Sequence, residues 1–158
     1  MSLALLRVDD RLVHGQVVIG WGRPLAVRFI VLVDNGVRAS TWEQDLYRMA
    51  VPEGVEVIFA STAEAIAALG GWAADPRAGI LLTGDLATMA ALHDAEPTVA
   101  HRINLGGIHH RADRTERLRY LYLDESDAAI LKRLSAAGAN ITAQDLPTSP
   151  PVPLADFL

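Results

Sequence analysis

Cysteine is missing from the chain altogether, which excludes a disulfide framework, a thiolate metal site and a cysteine nucleophile. Positive charge is the scarcer sign. Fourteen Lys and Arg stand against nineteen Asp and Glu, for a net charge of -5, and without a basic stripe nucleic acid is not the expected partner. No apolar run is long enough to cross a bilayer, since the densest stretch, Val17 to Val33, is broken by Arg23, Pro24 and Arg28. The first residues lack the basic segment and apolar run of a secretory leader. A cytoplasmic protein with no span of its own is expected. Neither Gly-x-Gly-x-x-Gly nor Gly-x-x-x-x-Gly-Lys occurs, so no motif supports a nucleotide site.

What is present is a steady alternation of short apolar runs with helix-forming segments. At 158 residues, 51% of them hydrophobic, the chain reads as one domain over 1–158, large enough for a real core. Strands are expected at Leu3 to Leu6, Val27 to Val33, Val55 to Phe59, Ala78 to Leu82, Arg102 to Leu105, Leu118 to Leu123 and, more weakly, Ala139 to Leu146. Between them, Ser40 with Glu43 and Ser61 with Glu64 have capping-box spacing and open two helices. Asp34-Asn35-Gly36 reads as a turn, and Gly138 ends the last helix. The βαβα order predicts a three-layer α/β/α fold with a mostly parallel six- to seven-stranded sheet and helices on both faces. The proline-rich tail, Ser149 to Pro153, is expected to pack over the domain, anchored by Phe157 and Leu158.

One stretch concentrates the chemistry: Arg7-Val8-Asp9-Asp10-Arg11-Leu12-Val13-His14-Gly15-Gln16-Val17. It joins the first strand to the apolar Val17 to Trp21, which reads as a short helix. A strand-to-helix turn in an open α/β sheet lies at the carboxyl end of the strand, where ligands bind and helix N–H groups favour anions. That field is expected to keep the His14 ring neutral and able to attack phosphorus. Arg11 can fork onto phosphoryl oxygens, and Asp9 or Asp10 can hold Arg11 or orient the imidazole. A plainer reading also fits, with Asp10 as a cap, Arg11 in a surface ion pair and His14 a half-buried ring.

The whole string, however, closely resembles the active-site segment of the IIB components of the mannose/fructose/sorbose family of the bacterial phosphotransferase system (PTS). Asn104-Leu105-Gly106-Gly107-Ile108-His109 resembles a second family loop, and Gln144-Asp145-Leu146-Pro147 its C-terminal close. The resemblance implies that His14 takes a phosphoryl group from a IIA component and passes it to a sugar held by membrane IIC and IID partners. It implies a peripheral association with those partners, no metal and no organic cofactor. It also implies a parallel core in which the first strand lies between the fourth and fifth, bringing the Thr83-Gly84-Asp85 and Gly106-Gly107 loops beside His14.

On that basis His14, Arg11 and Asp10 are the candidate catalytic residues, and Gly15, Gln16, Thr83, Gly84, Gly106 and Gly107 the candidate phosphate contacts. Asp85 reads first as a helix cap, and the two glycines could serve only a chain bend. His109 and His110 lack a third ligand of matched spacing, so no metal is expected; His93 and His101 read as surface residues. An alternative role is a regulatory phosphoprotein or binding module on the same fold, with no sugar modified. The sequence leaves the sugar and the oligomeric state, possibly a homo-oligomer, open.

Overall fold

The computed structural model describes residues 3–158. Its frame is a seven-stranded sheet of β1 (Leu3–Val8), β2 (Phe29–Val33), β3 (Glu56–Ala60), β4 (Gly79–Thr83), β5 (Arg102–Leu105), β8 (Asn140–Ala143) and β9 (Val152–Pro153), in the order β3-β2-β4-β1-β5-β8-β9. Every pairing is parallel except β8 with β9. β1 therefore sits between β4 and β5, as the resemblance implies. Parallel strands covered on both faces need continuous apolar runs, and β2 and β4 are buried at every position.

Helices α3 (Thr62–Ala74), α4 (Leu86–Ala95) and α5 (Glu125–Ala136) cover one face, burying Leu69, Met89 and Leu134 against Val8, Val31, Leu81 and Ile103. The opposite face is covered by α1 (Asn35–Arg38), α2 (Thr41–Met49) and a π-helical segment, Gln16–Trp21, that bury Val17, Trp21 and Val37 on Leu5, Ile30 and Leu82. The three-layer α/β/α fold is as expected from the alternation of strand and helix. Among the described residues no helix is long and apolar enough to cross a membrane.

Several local expectations change. Asp34-Asn35-Gly36 is the start of α1, because the Asp34 side chain accepts from the Val37 N–H at 2.9 Å and caps it. Ser40 forms no capping box; its hydroxyl is buried without a partner, and Gln44 instead donates to the Val37 and Arg38 carbonyls. Ser61 and Glu64 do form the reciprocal box, and Glu64 also takes Arg38, which together bring its carboxyl down to about 2. The sixth expected strand is a separate antiparallel hairpin, β6 (Thr115–Leu118) with β7 (Leu121–Leu123), since Arg119-Tyr120 turns the chain back. His93 is buried, with its Nδ1 2.9 Å from the Ala100 carbonyl oxygen, so it is not a surface residue. Gly138, at φ +100°, follows α5, and the tail packs down through β9 and the buried Phe157.

Candidate active site

At the carboxyl end of β1 the chain carries opposite charges at every second position: Arg7, Asp9, Arg11. Arg7 and Asp9 are fully buried. An ionised carboxylate in that setting must be compensated, and both oxygens of Asp9 are occupied. Oδ1 accepts from the Arg11 backbone N–H at 3.2 Å and from Nε at 3.1 Å; Oδ2 accepts from Arg11 Nη2 at 3.0 Å and Arg7 Nη2 at 3.3 Å. Burial opposes ionisation of Asp9, but the Arg11 hydrogen bonds and the Arg7 charge outweigh it and hold the carboxyl below its usual range.

Arg7 is held in turn by the rest of the fold. Its Nη1 donates to Asn104 Oδ1 and, at 2.8 Å, to the Gln144 carbonyl; Nη2 reaches the Asp145 carbonyl at 3.1 Å. The guanidinium carbon lies 5.1 Å from the Trp21 ring centroid, and the Trp21 indole N–H donates to the same Asp145 carbonyl. Burial weakens the hold of Arg7 on its proton, with Asp9 opposing that trend. Residues 7, 9, 104 and 144–145 thus form one buried polar knot under the loop.

Arg11 rises from this knot to the surface, its side chain 43% exposed. The Asp9 contacts raise its affinity for its proton, and Gln16 Oε1 accepts from Nη2 at 2.8 Å. A guanidinium held on two sides with part of its fork open is suited to a phosphoryl group. His14 stands just before the π-helical segment, whose Gly22 N–H reaches back five residues to the Val17 carbonyl. That segment is only six residues long, and the contact that orients the ring comes from the loop before it. Its Nδ1 lies 2.7 Å from the Leu12 carbonyl oxygen, while Nε2 is buried, has no hydrogen-bond partner among the described residues and lies 3.9 Å from Asp9 Oδ2. Leu12 presents that carbonyl from a left-handed conformation, φ 60°, uncommon for a residue with a branched side chain.

The other expected residues are brought to the same edge in different roles. Asp10 turns to the Gly106-Gly107 loop, where its Oδ2 accepts from both the backbone N–H and the ring Nδ1 of His109; it does not orient His14. Thr83 is buried, and its carbonyl accepts from the Asp9 N–H at 2.9 Å. Gly84 lies against Leu12, to whose Cδ2 an added Cβ would approach within 3.1 Å. Gly15 has ordinary helical angles and open space where a Cβ would stand. Gly106 is required by packing: a Cβ there would strike the Arg7 guanidinium and stand 2.6 Å from Asp9 Oδ2. At Gly107 the same atom would crowd Arg11 Nε at 3.3 Å. Asp85 caps α4 through the Thr88 N–H at 2.7 Å. His110 meets Tyr122 edge to face, and among the described residues no group of three or more His, Asp or Glu is placed to hold a metal. Of the two aspartates read from sequence as able to hold Arg11, Asp9 is the one in contact with it; Arg7 and Asn104 were given no individual role from sequence, although the period-two charge alternation at the end of a strand was an available signal for Arg7.

The family model for the PTS system sorbose subfamily IIB component matches residues 3–158. The chain is 28% identical over 157 residues to the N-acetylgalactosamine-specific phosphotransferase enzyme IIB component 2 of Escherichia coli, covering 99% of both chains. It is 27% identical over 158 residues to the mannose-specific EIIAB component of the same species. There it covers all of this chain but 49% of the relative, so it spans about half the length of that protein. Among solved structures, the IIB domain of the sorbose permease from Klebsiella pneumoniae superposes with TM-score 0.89 at 23% identity, over 99% of this chain and 96% of that one. An N-acetylgalactosamine IIB component from Streptococcus pyogenes gives 0.90 at 21%, over 100% and 98%. These superpositions show a shared fold, and with the family match over nearly every residue, the chain belongs to the sorbose subfamily of PTS IIB components, which are parts of sugar phosphotransferase systems.

Proposed function

We propose that this IIB component is the phosphoryl carrier between a IIA partner and a sugar taken up through membrane IIC and IID partners, with His14 as the residue that carries the group. The observation that carries this reading is a buried, unpartnered His14 nitrogen three residues from Arg11, a guanidinium fixed by Asp9 and Gln16 yet open to solvent on one side. In the first step a nitrogen of the neutral ring attacks phosphorus as the P–N bond to the donor histidine breaks. In the second, a sugar hydroxyl attacks, its O–P bond forms, the P–N bond to His14 breaks with its electron pair returning to the ring nitrogen, and the hydroxyl proton passes to solvent. Positioning and charge stabilisation suffice for both.

Arg11 neutralises the transferring group in this scheme, and Gln16 holds Arg11. Gly15 and Gly84 lie at the rim, where their backbone can approach the group. Because Nδ1 faces the Leu12 carbonyl and Nε2 is buried, the ring must turn out of one of these contacts before it meets a donor. The test is the intact mass of the full chain after incubation with phosphoenolpyruvate, the general phosphotransferase proteins and a matching IIA component. One acid-labile phosphoryl adduct is expected on the native chain and none on His14→Ala. Full phosphorylation of the variant removes His14 from the mechanism, and an adduct that no sugar discharges in membranes bearing IIC and IID points to the regulatory role.

A further inference from the structure

The two faces of the sheet are covered unequally. α1, α2 and the π-helical segment lie over β2, β4 and β1, but among the described residues no helix lies over β5 and β8 on that face. Side chains alternate along a strand and share a face with their register partners. Asn104 pairs with both Arg7 and Thr142, and Arg102 pairs with Asn140. Arg102, Asn104, Asn140 and Thr142 therefore form a polar quartet on the uncovered half, where a buried sheet would carry apolar residues. They line a cleft of about 450 Å³, walled on its apolar side by Trp21 and Leu25.

That volume falls within the range of about 300–1,000 Å³ usual for small-molecule sites. His101 and Gln144, which also line it, are engaged with backbone carbonyls, whereas polar groups of the quartet are open. Arg102 has no ion pair among the described residues, and Asn104, only 7% exposed, uses its Oδ1 on Arg7 while its amide N–H groups donate to none of the described residues. A guanidinium fork takes phosphate, paired amides and a hydroxyl take sugar hydroxyls, and an indole wall takes a ring face.

We propose that this cleft is a second ligand site, for a hexose phosphate, linked to the His14 loop through the Asn104–Arg7–Asp9 contacts. Phosphate rather than another anion is chosen because the proposed function makes a sugar phosphate its product, so the identity of the ligand rests on that reading. Bound ligand fixes Asn104, Asn104 fixes the Arg7 guanidinium, and Arg7 shares the Asp9 oxygen that faces His14. The site would let accumulated product act on the carrier without occupying the transfer loop.

The experiment is a titration of the 15N-labelled full chain with the 6-phosphates of glucose, mannose and galactose, against free glucose and inorganic phosphate. At least one hexose phosphate is expected to shift the Asn104 and Asn140 side-chain amides and the Trp21 indole saturably. Arg102→Ala should weaken that binding about tenfold or more while the unliganded variant is phosphorylated at the native rate. Absence of shifts at about 10 mM of every hexose phosphate, enough to fill a site with Kd near 1 mM, overturns the proposal. Equal binding of inorganic phosphate or free glucose, or unchanged binding by Arg102→Ala, does so too. Saturating ligand should alter the rate of His14 phosphorylation at least twofold, and an unaltered rate overturns the link. Binding is read without phosphoryl transfer, so its failure is distinct from a failure to find the His14 adduct.

Discussion

Where a side chain on Gly106 would begin, Asp9 Oδ2 already stands, 2.6 Å away, with the Arg7 guanidinium closer still. The glycine in this loop makes room for a buried ion pair, so an added methyl must displace charge. Gly106→Ala is expected to lower stability by about 2–3 kcal/mol, at the upper end of overpacking costs, read from the urea midpoint. Gly107→Ala faces only the softer contact with Arg11 and should cost less than half as much. Equal midpoints for native and Gly106→Ala proteins would show that the knot yields easily.

Asp9 serves two arginines at once, and its loss leaves Arg7 buried without a counter-ion. Asp9→Asn should destabilise by about 3–5 kcal/mol at neutral pH. The sign of the pH effect follows from a carboxyl held below its usual range: its stabilisation is full above the unfolded value of about 3.9 and is lost as pH falls through the lower folded value. Urea melts at pH 7 and at pH 3 and below should therefore show the native–variant gap narrowing on acidification. A gap that stays constant would mean that Asp9 is neutral in the fold.

Arg11→Lys keeps the charge and loses the planar fork that spans Asp9 and Gln16. Phosphoryl transfer should fall by about 100-fold or more, as for losing a charge-stabilising donor, with the fold kept but the melting temperature lowered, because Asp9 loses part of its fork. Rapid-quench kinetics on the carrier step is the measurement. An unfolded variant would make Arg11 a structural residue.

Asp10 and His109 close the Gly106-Gly107 loop onto the His14 loop. Asp10→Asn weakens a charge-assisted contact at the rim and should cost about 1–2 kcal/mol. Faster amide exchange at Gly107 and His109 is expected, while His14 still accepts phosphate. Loss of phosphorylation in a folded Asp10→Asn protein would return Asp10 to the chemistry.

Asp85 has its work defined by the Thr88 N–H. Asp85→Ala should cost about 1 kcal/mol as a lost cap, with the transfer rate unchanged. A slowed transfer step would give it a second role.

Much of this was readable from sequence because it depends on local chemistry. Apolar runs and turn residues located the parallel strands, and Ser61 with Glu64 announced α3 correctly. Ser40 with Glu43 had the same spacing and failed: α1 ends directly before it, and the Ser40 side chain makes no cap hydrogen bond. The position of β1 between β4 and β5 came only through the family resemblance, because strand order is set by long-range packing that no local pattern records. His14 and Arg11 were visible as a motif. The support beneath them was not, because Arg7 meets Asn104 and Gln144 across separations of 97 and 137 residues.

Strand β1 is the first of the described strands and the most central, flanked by strands that end 75 and 97 residues after its own last residue, Val8. The His14 loop hangs from it, and the Arg7 beneath that loop gains its Nη1 and Nη2 contacts to backbone carbonyls only once residues 144 and 145 are in place. A nascent or truncated chain holding the first hundred residues thus has its histidine but no finished seat for it. Under the proposed carrier role, a fragment that stops before residues 144 and 145 is expected to accept phosphate poorly, because the non-local contacts that seat the loop are missing.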